Sequence, residues 1–294
     1  MKKQILVVLA FLFVLMVAFT TSISNFHTII NELYVFGDSL SDIGNVFNAT
    51  GGFRPSSPPY FQGRYSNGLV WVEYLASELA LNHKQNTNFA YGGATTGSGH
   101  INGIPDLLTQ VDSFLKVHGQ IDSNALYILW AGANDYLNGL NNPSLSIGNV
   151  SQAIESLSKA GAKKFMVANL PDLGNIPVTR NTSYSNILSS ATIAHNLGLA
   201  KSLNILKQKL GHDIQVIELD VHFLYREAIA NPAKFGFTNV TEACLKNFAN
   251  FDNPDDFLFW DSIHPTTAVH KLLAKAALKE LKTKYSFPPL PEYL

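Results

Sequence analysis

The feature that most constrains this chain is an alternation of short, continuously apolar runs with longer helical patterns. Five runs read as strands: Leu33–Phe36, Asn88–Ala90, Leu126–Ala131, Lys164–Asn169 and Ile214–Leu219. Helical periodicity covers Leu69–Leu81, Ile104–Val117, Ile147–Ala160, Tyr184–Leu210, Val221–Ala230 and Thr266–Lys282. A run such as Tyr127-Ile128-Leu129-Trp130 has no polar face to turn to water, so both faces of its sheet must be covered. Strands with helices between them pair in parallel through crossovers, which predicts a three-layer α/β/α sandwich on a five-stranded parallel sheet. No internal repeat or low-complexity linker breaks the pattern, and 294 residues suit one such domain better than two. Two long stretches, Gly44–Tyr65 and about Asn231–Trp260, read as loops of the kind that often carry function.

The N-terminus reads differently. Lys2 and Lys3 precede an unbroken apolar run, Ile5–Phe19, and a small polar stretch, Thr20–Ser24. That order predicts a secretory signal over residues 1–24 and a mature chain over 25–294, exported to the periplasm or medium. An uncleaved membrane anchor is the alternative, but the run falls short of the about 20 apolar residues a span needs. Cys244 is the single cysteine, so there is no intramolecular disulfide despite export, and a buried or idle thiol is expected. Asn-x-Ser/Thr triplets begin at Asn48, Asn149, Asn181 and Asn239 and matter only in a host that glycosylates exported proteins. The formal net charge is −1, which excludes the basic footprint of a nucleic-acid binder.

Ligands of an open parallel sheet bind beyond the carboxyl ends of its strands. Strand one runs into Gly37-Asp38-Ser39-Leu40-Ser41-Asp42, strand two into Tyr91-Gly92-Gly93-Ala94, and strand three into Gly132-Ala133-Asn134-Asp135. Asp261-Ser262-Ile263-His264-Pro265 precedes the last helix. Together they supply one chemistry. A serine needs a base to become a nucleophile at neutral pH, and imidazole suits the task. Asp261, three residues before His264, is close enough in a turn to orient the ring. Gly93 N–H, the Asn134 amide and Ser39 N–H can converge on an oxyanion. Each motif alone has a plainer reading as a turn, a cap or a helix start. Their joint presence, in order and next to strands, points to acyl transfer.

Phe36–Asn45 resembles the first block of the GDSL/SGNH hydrolase family. Gly93 matches the glycine of its second block, Asn134 the asparagine of its third, and Asp261–Pro265 its last block. Gly63–Gly68 and Asn169–Gly174 resemble the longer members, plant GDSL lipases and bacterial phospholipase or lecithinase-like enzymes. The resemblance extends from Leu33 to about Leu281. It implies a flavodoxin-like sandwich, Ser39 as nucleophile with Asp261 and His264, an oxyanion hole of Ser39, Gly93 and Asn134, and no metal or cofactor. Spacing from Asn88 favours Gly93 over Gly92 as the donor.

Asp38, Asp42 and Asp135 read as turn or cap residues. His195, His222 and His270 read as packing or surface residues without metal-ligand spacing. Gly-x-Ser-x-Gly is absent, which argues against a nucleophile elbow. The expected activity is hydrolysis of a lipid or other small carboxylic ester through an acyl-serine. Carbohydrate O-acetylester cleavage, transfer to another alcohol and a non-catalytic exported binding protein are the rivals. Phe53, Pro58, Pro59, Tyr60 and Phe61, with Phe257, Phe259 and Trp260, are candidates for an acyl-chain groove; packing of the loops is their other reading.

Overall fold

Five strands form one parallel sheet: β1 (Leu33–Gly37), β2 (Asn86–Asn88), β5 (Leu126–Trp130), β6 (Lys164–Ala168) and β7 (Gln215–Leu219). Their order across the sheet is β2-β1-β5-β6-β7, the flavodoxin-like arrangement. This computed structural model describes residues 30–82, 84–101, 103–245 and 253–285; the expected signal peptide lies outside them.

The continuous apolar runs have the predicted cause. Successive strand residues point to opposite faces, and both faces are buried. Leu33, Val35, Ile128, Trp130 and Met166 face one core, covered by α2 (Trp71–Glu78), α7 (Val221–Ala230) and α8 (Thr267–Lys284). Tyr34, Phe36, Tyr127, Leu129 and Phe165 face the other, covered by α3 (Leu107–His118), α5 (Pro143–Ala160) and α6 (Ser185–Leu210).

The differences from expectation sit at element ends. The second strand lies two residues earlier than its apolar run, with Leu33 opposite Asn86 and Val35 opposite Asn88. It is an edge strand, so Asn-Thr-Asn is tolerated there and the hydrophobic signal is weak. The predicted helix from Ile104 starts at Leu107, because Ile104-Pro105 is β4 of a small hairpin with β3 (His100–Ile101). A residue before proline is driven out of the helical region, and Pro105 sets that boundary. α5 starts earlier than expected, at Pro143, with Asn142 capping the Ser144 N–H. The long loops carry structure of their own: α1 (Asn45–Ala49) in the first, and a parallel pair, β8 (Asn239–Ala243) with β9 (Phe257–Phe259), in the second. One further short helix, α4 (Ala133–Leu137), follows β5 directly.

Phe114 of α3 is fully buried, with its ring 4.8 Å from Tyr34, 5.4 Å from Phe36 and 5.3 Å from Phe89. Phe114→Ala empties the centre of that layer, and urea unfolding should register a loss of about 3–5 kcal/mol.

Candidate active site

The order β2-β1-β5 creates a topological switch point between β1 and β5, the place where such sheets bind ligands. Ser39 follows β1 and Asn134 follows β5, so the two strands that flank the switch point deliver them side by side. Gly37 ends β1 against the neighbouring strand so closely that a Cβ would lie 2.1 Å from the Trp130 carbonyl oxygen. Gln110 brackets the same residue, accepting from Gly37 N–H and donating to its carbonyl, each at 2.9 Å.

Beyond Gly37 the chain turns sharply. Leu40 N–H donates to Asp38 Oδ1 at 3.0 Å, and Ser41 and Asp42 N–H both donate to the Asp38 carbonyl. Ser39 is 7% exposed at this turn. Its Oγ lies 2.9 Å from His264 Nε2, and His264 Nδ1 lies 2.7 Å from Asp261 Oδ2. The other Asp261 oxygen accepts the backbone N–H groups of Ile263 and His264 at 2.7 and 2.6 Å, which fixes the carboxylate in the turn that carries the imidazole.

Asp42 and Asp135 act as more than local caps. Asp42 Oδ1 accepts Gly44 and Asn45 N–H, while Oδ2 accepts Gly92 N–H at 2.8 Å from the loop after β2. Asp135 accepts Thr96 N–H and Thr96 Oγ1–H, and Asn134 Nδ2 donates to the Ala94 carbonyl at 2.9 Å. The loop that bears Gly93 is thus tied to both neighbours. Gly93 has φ +86°, a left-handed backbone that glycine adopts freely. Gly92 is a glycine for another reason: a Cβ there would meet the Tyr65 ring at 2.2 Å. Gly92 N–H is thus committed to Asp42, which leaves Gly93 as the other glycine of this turn.

Tyr60 is assigned differently from the sequence reading. Its hydroxyl donates to Asp261 Oδ2 at 2.7 Å, and its ring packs edge-on to Trp260 and Tyr65. Tyr65 in turn lies over His264, ring centres 5.1 Å apart. Phe257, Phe259 and Trp260 are 5%, 1% and 1% exposed and pack the loops; Phe259 also lines a cleft of about 210 Å³ with Ile176, Tyr225 and Ile229. Phe53 projects into solvent. A wider cleft of about 750 Å³ is lined by Asn134, Leu137, Leu140, Val178, Leu188 and Ile263, among others. Asn134, Leu137 and Ile263 also line the small hollow that contains Ser39 and His264. The sequence signal for that cleft was weak, because its lining is drawn from two helices and a loop without aromatic clustering.

His195 and His270 are fully buried, and burial pushes their imidazoles down to about 4 and about 3. His195 Nδ1 meets the Tyr136 hydroxyl, and His270 Nδ1 accepts Trp71 N–H, so both serve packing. Burial opposes charge on His264 as well, but the Asp261 carboxylate beside it and Asp38 farther off outweigh burial and raise its pKa. Burial pulls Asp261 up, yet His264, its backbone donors and Tyr60 together bring it down to about 2. Burial raises Asp38 to about 7.

A family model of GDSL-like lipases and acylhydrolases matches residues 33–277. The chain is 30% identical to a phosphatidylcholine-sterol acyltransferase of Aeromonas hydrophila, an alignment covering 92% of this chain and 96% of that protein. It is 32% identical to the secreted effector protein SseJ of Salmonella typhimurium over 83% of this chain, and spans 62% of that effector's length. A family two carbohydrate esterase from Clostridium thermocellum shares the fold, with a TM-score of 0.50 at 11% identity, covering 87% of this chain and 64% of that one.

The pH dependence follows from the imidazole. On a reading of His264 as the base for Ser39, the imidazole must be neutral to act, so activity should fall as pH drops through its raised pKa, with the acid limb of kcat/KM above the ordinary imidazole value of about 6.5. Tyr60→Phe removes a donor from the oxygen that also accepts from His264. The carboxylate then stabilises the imidazolium more, so the acid limb of kcat/KM should move to higher pH.

Proposed function

We propose that this chain, which belongs to the GDSL-like lipase/acylhydrolase family and is a carboxylic ester hydrolase, works through an acyl-serine formed on Ser39. The observation that carries this reading is the unbroken hydrogen-bonded line from Ser39 Oγ through His264 to Asp261 at the switch point. His264 Nε2 takes the hydroxyl proton as Ser39 Oγ attacks the ester carbonyl. The tetrahedral oxyanion accepts from Ser39 N–H, Gly93 N–H and the Asn134 amide, one of whose two protons is engaged by the Ala94 carbonyl and the other left to donate. Collapse breaks the ester C–O bond, and His264 hands its proton to the departing alkoxide. A water then gives its proton to His264 and attacks the acyl carbon, and the second collapse returns that proton to Ser39. Asp261 stays ionised throughout, orienting the ring and stabilising the imidazolium.

The substrate is an ester with an apolar chain, supported by the cleft that meets the hollow beside Ser39 through Asn134, Leu137 and Ile263. Export through a signal over residues 1–24 is supported by Lys2-Lys3, the Ile5–Phe19 run and the likeness to a secreted effector. Transfer of the acyl group to an alcohol other than water is the second reading, favoured by the near-complete alignment with an acyltransferase.

These readings separate in one assay set. p-Nitrophenyl esters from acetate to palmitate should be cleaved with a preference for the longer chains, and Ser39→Ala should reduce turnover to the buffer blank. Preference for acetate alone would instead favour a carbohydrate O-acetylester. Asn134→Ala should lower kcat on the order of 10²–10³-fold. Addition of an aliphatic alcohol or sterol acceptor, with product analysis for the new ester, distinguishes transferase from hydrolase.

A further inference from the structure

α6 lies on the surface, yet lacks the charges that a surface helix normally turns to water. Asn186, Ile187, Ser190, Ile193, Ala194 and Leu197 are the exposed positions along its first half, and none can ionise. Ile187, Ile193 and Leu197 are 58%, 53% and 69% exposed. Lysines enter the helix only from Lys201 onward. The same neutrality extends over the segments that wall the cleft. Residues 131–150 and 173–200 hold two charged side chains, Asp135 and Arg180, in a chain that is 15% charged. Asp135 is buried on Thr96, and Arg180 is half-buried. Val178 and Tyr184, also strongly exposed, carry the apolar face from the helix to the mouth of the cleft. Val178 N–H donates to the Ser262 carbonyl at 2.9 Å, which fixes that mouth to the segment bearing Asp261 and His264.

We propose that this face, the outward side of α6 from Tyr184 to Leu197 together with Val178, docks the enzyme on an uncharged or zwitterionic lipid surface. The proposal rests on the reading of the cleft as the seat of the ester's apolar chain, and it explains how such chains reach Ser39 without crossing water. Exposed apolar side chains gain free energy on leaving water for hydrocarbon, and a contiguous patch of them marks an interaction surface. With no cation in the patch there is nothing for anionic headgroups to grip, so docking is insensitive to salt. A second copy of the chain seated here would cover Val178, Tyr184 and Ile187 and close both cleft mouths. A lipid surface leaves each mouth open to the phase that holds the substrate.

The test is flotation of the exported protein with phosphatidylcholine vesicles at low and high salt, for wild type, Ser39→Ala and the double variant Ile193→Asp/Leu197→Asp. Turnover of p-nitrophenyl acetate in free solution and sedimentation analysis run alongside. Neither substituted residue lines the cleft, so the double variant keeps its soluble turnover; Ile193→Ser/Leu197→Ser removes the same apolar area without adding charge. Wild type and Ser39→Ala should float at either salt, and both double variants should lose roughly tenfold or more in vesicle partition. Comparison with wild type cancels any contribution of the N-terminus. Protein that cleaves the soluble ester yet does not float, double variants that float as well as wild type, or a dimer that the double variants split, would each overturn the docking face. Protein that floats but cleaves no ester would overturn the acyl-serine reading and leave the docking face standing.

Discussion

The site depends on holding three loops, each carried by a different strand, rigid against one another, and buried carboxylates provide that rigidity. Asp42 is wholly buried, and its two oxygens accept four backbone N–H groups, three from its own turn and one from Gly92. A carboxylate removed from water costs several kcal/mol unless its lone pairs are satisfied, so the fold tolerates Asp42 only where both turns present their donors. The cost of misplacing either loop is therefore high. Asp135 makes the same bargain between the loop after β5 and Thr96. The charge that matters in these residues is structural, and it sets the distance between Ser39 and the Gly93 loop before any substrate arrives.

A second layer of order comes from aromatic rings. The loop after β1 is long because it must travel from the nucleophile turn, around the glycine loop, and back under the triad. Tyr65 fills the space over Gly92, its ring meets His264, and Tyr60 beside it reaches Asp261. Burial and the Asp261 carboxylate both push the Tyr60 hydroxyl up, so it stays protonated and donates. One segment thus braces His264, Asp261 and the turn at Gly92 together. Ser66 completes the bracing by donating its hydroxyl to the Pro265 carbonyl at 2.9 Å.

How much of this was legible depends on the range over which each signal acts. The central strands could be read because burial of both faces writes itself into consecutive residues, as at Tyr127–Trp130. That Ser39, His264 and Asp261 meet could be anticipated because each stands in a short motif next to a strand or helix, and the strand order brings those motifs to one edge of the sheet. Asn86–Asn88 was shifted because an edge strand needs no apolar residues to hold its place. Asp42 was legible as a turn residue but not as a bond to Gly92, since a contact across 50 positions leaves no local spacing. Aromatic clustering left Phe257, Phe259 and Trp260 between groove and packing: composition reports how much apolar area exists, not which way it faces. The cleft wall was hidden for the converse reason, being built from Asn, Thr, Leu and Ile that look unremarkable along the chain.

The neutrality of that wall also bears on the chemistry. Coulomb interactions strengthen as water is excluded, so a charge near Ser39 acts on the imidazole far more strongly than it would in solvent. Around Ser39 the acidic side chains are few and fixed: Asp261 by four hydrogen bonds, Asp135 by Thr96, and Asp38 by the Leu40 N–H, with burial raising the pKa of Asp38 and Asp135. An apolar chain lying along Leu137 and Ile263 displaces water without bringing charge of its own. In the proposed mechanism the charge that develops in the transition state is then felt mainly by the oxyanion donors and by the His264–Asp261 pair, where preorganised dipoles lower a barrier. The proposed docking face and the proposed acyl-serine chemistry therefore impose the same requirement on the surrounding sequence: few charged side chains, and those few buried.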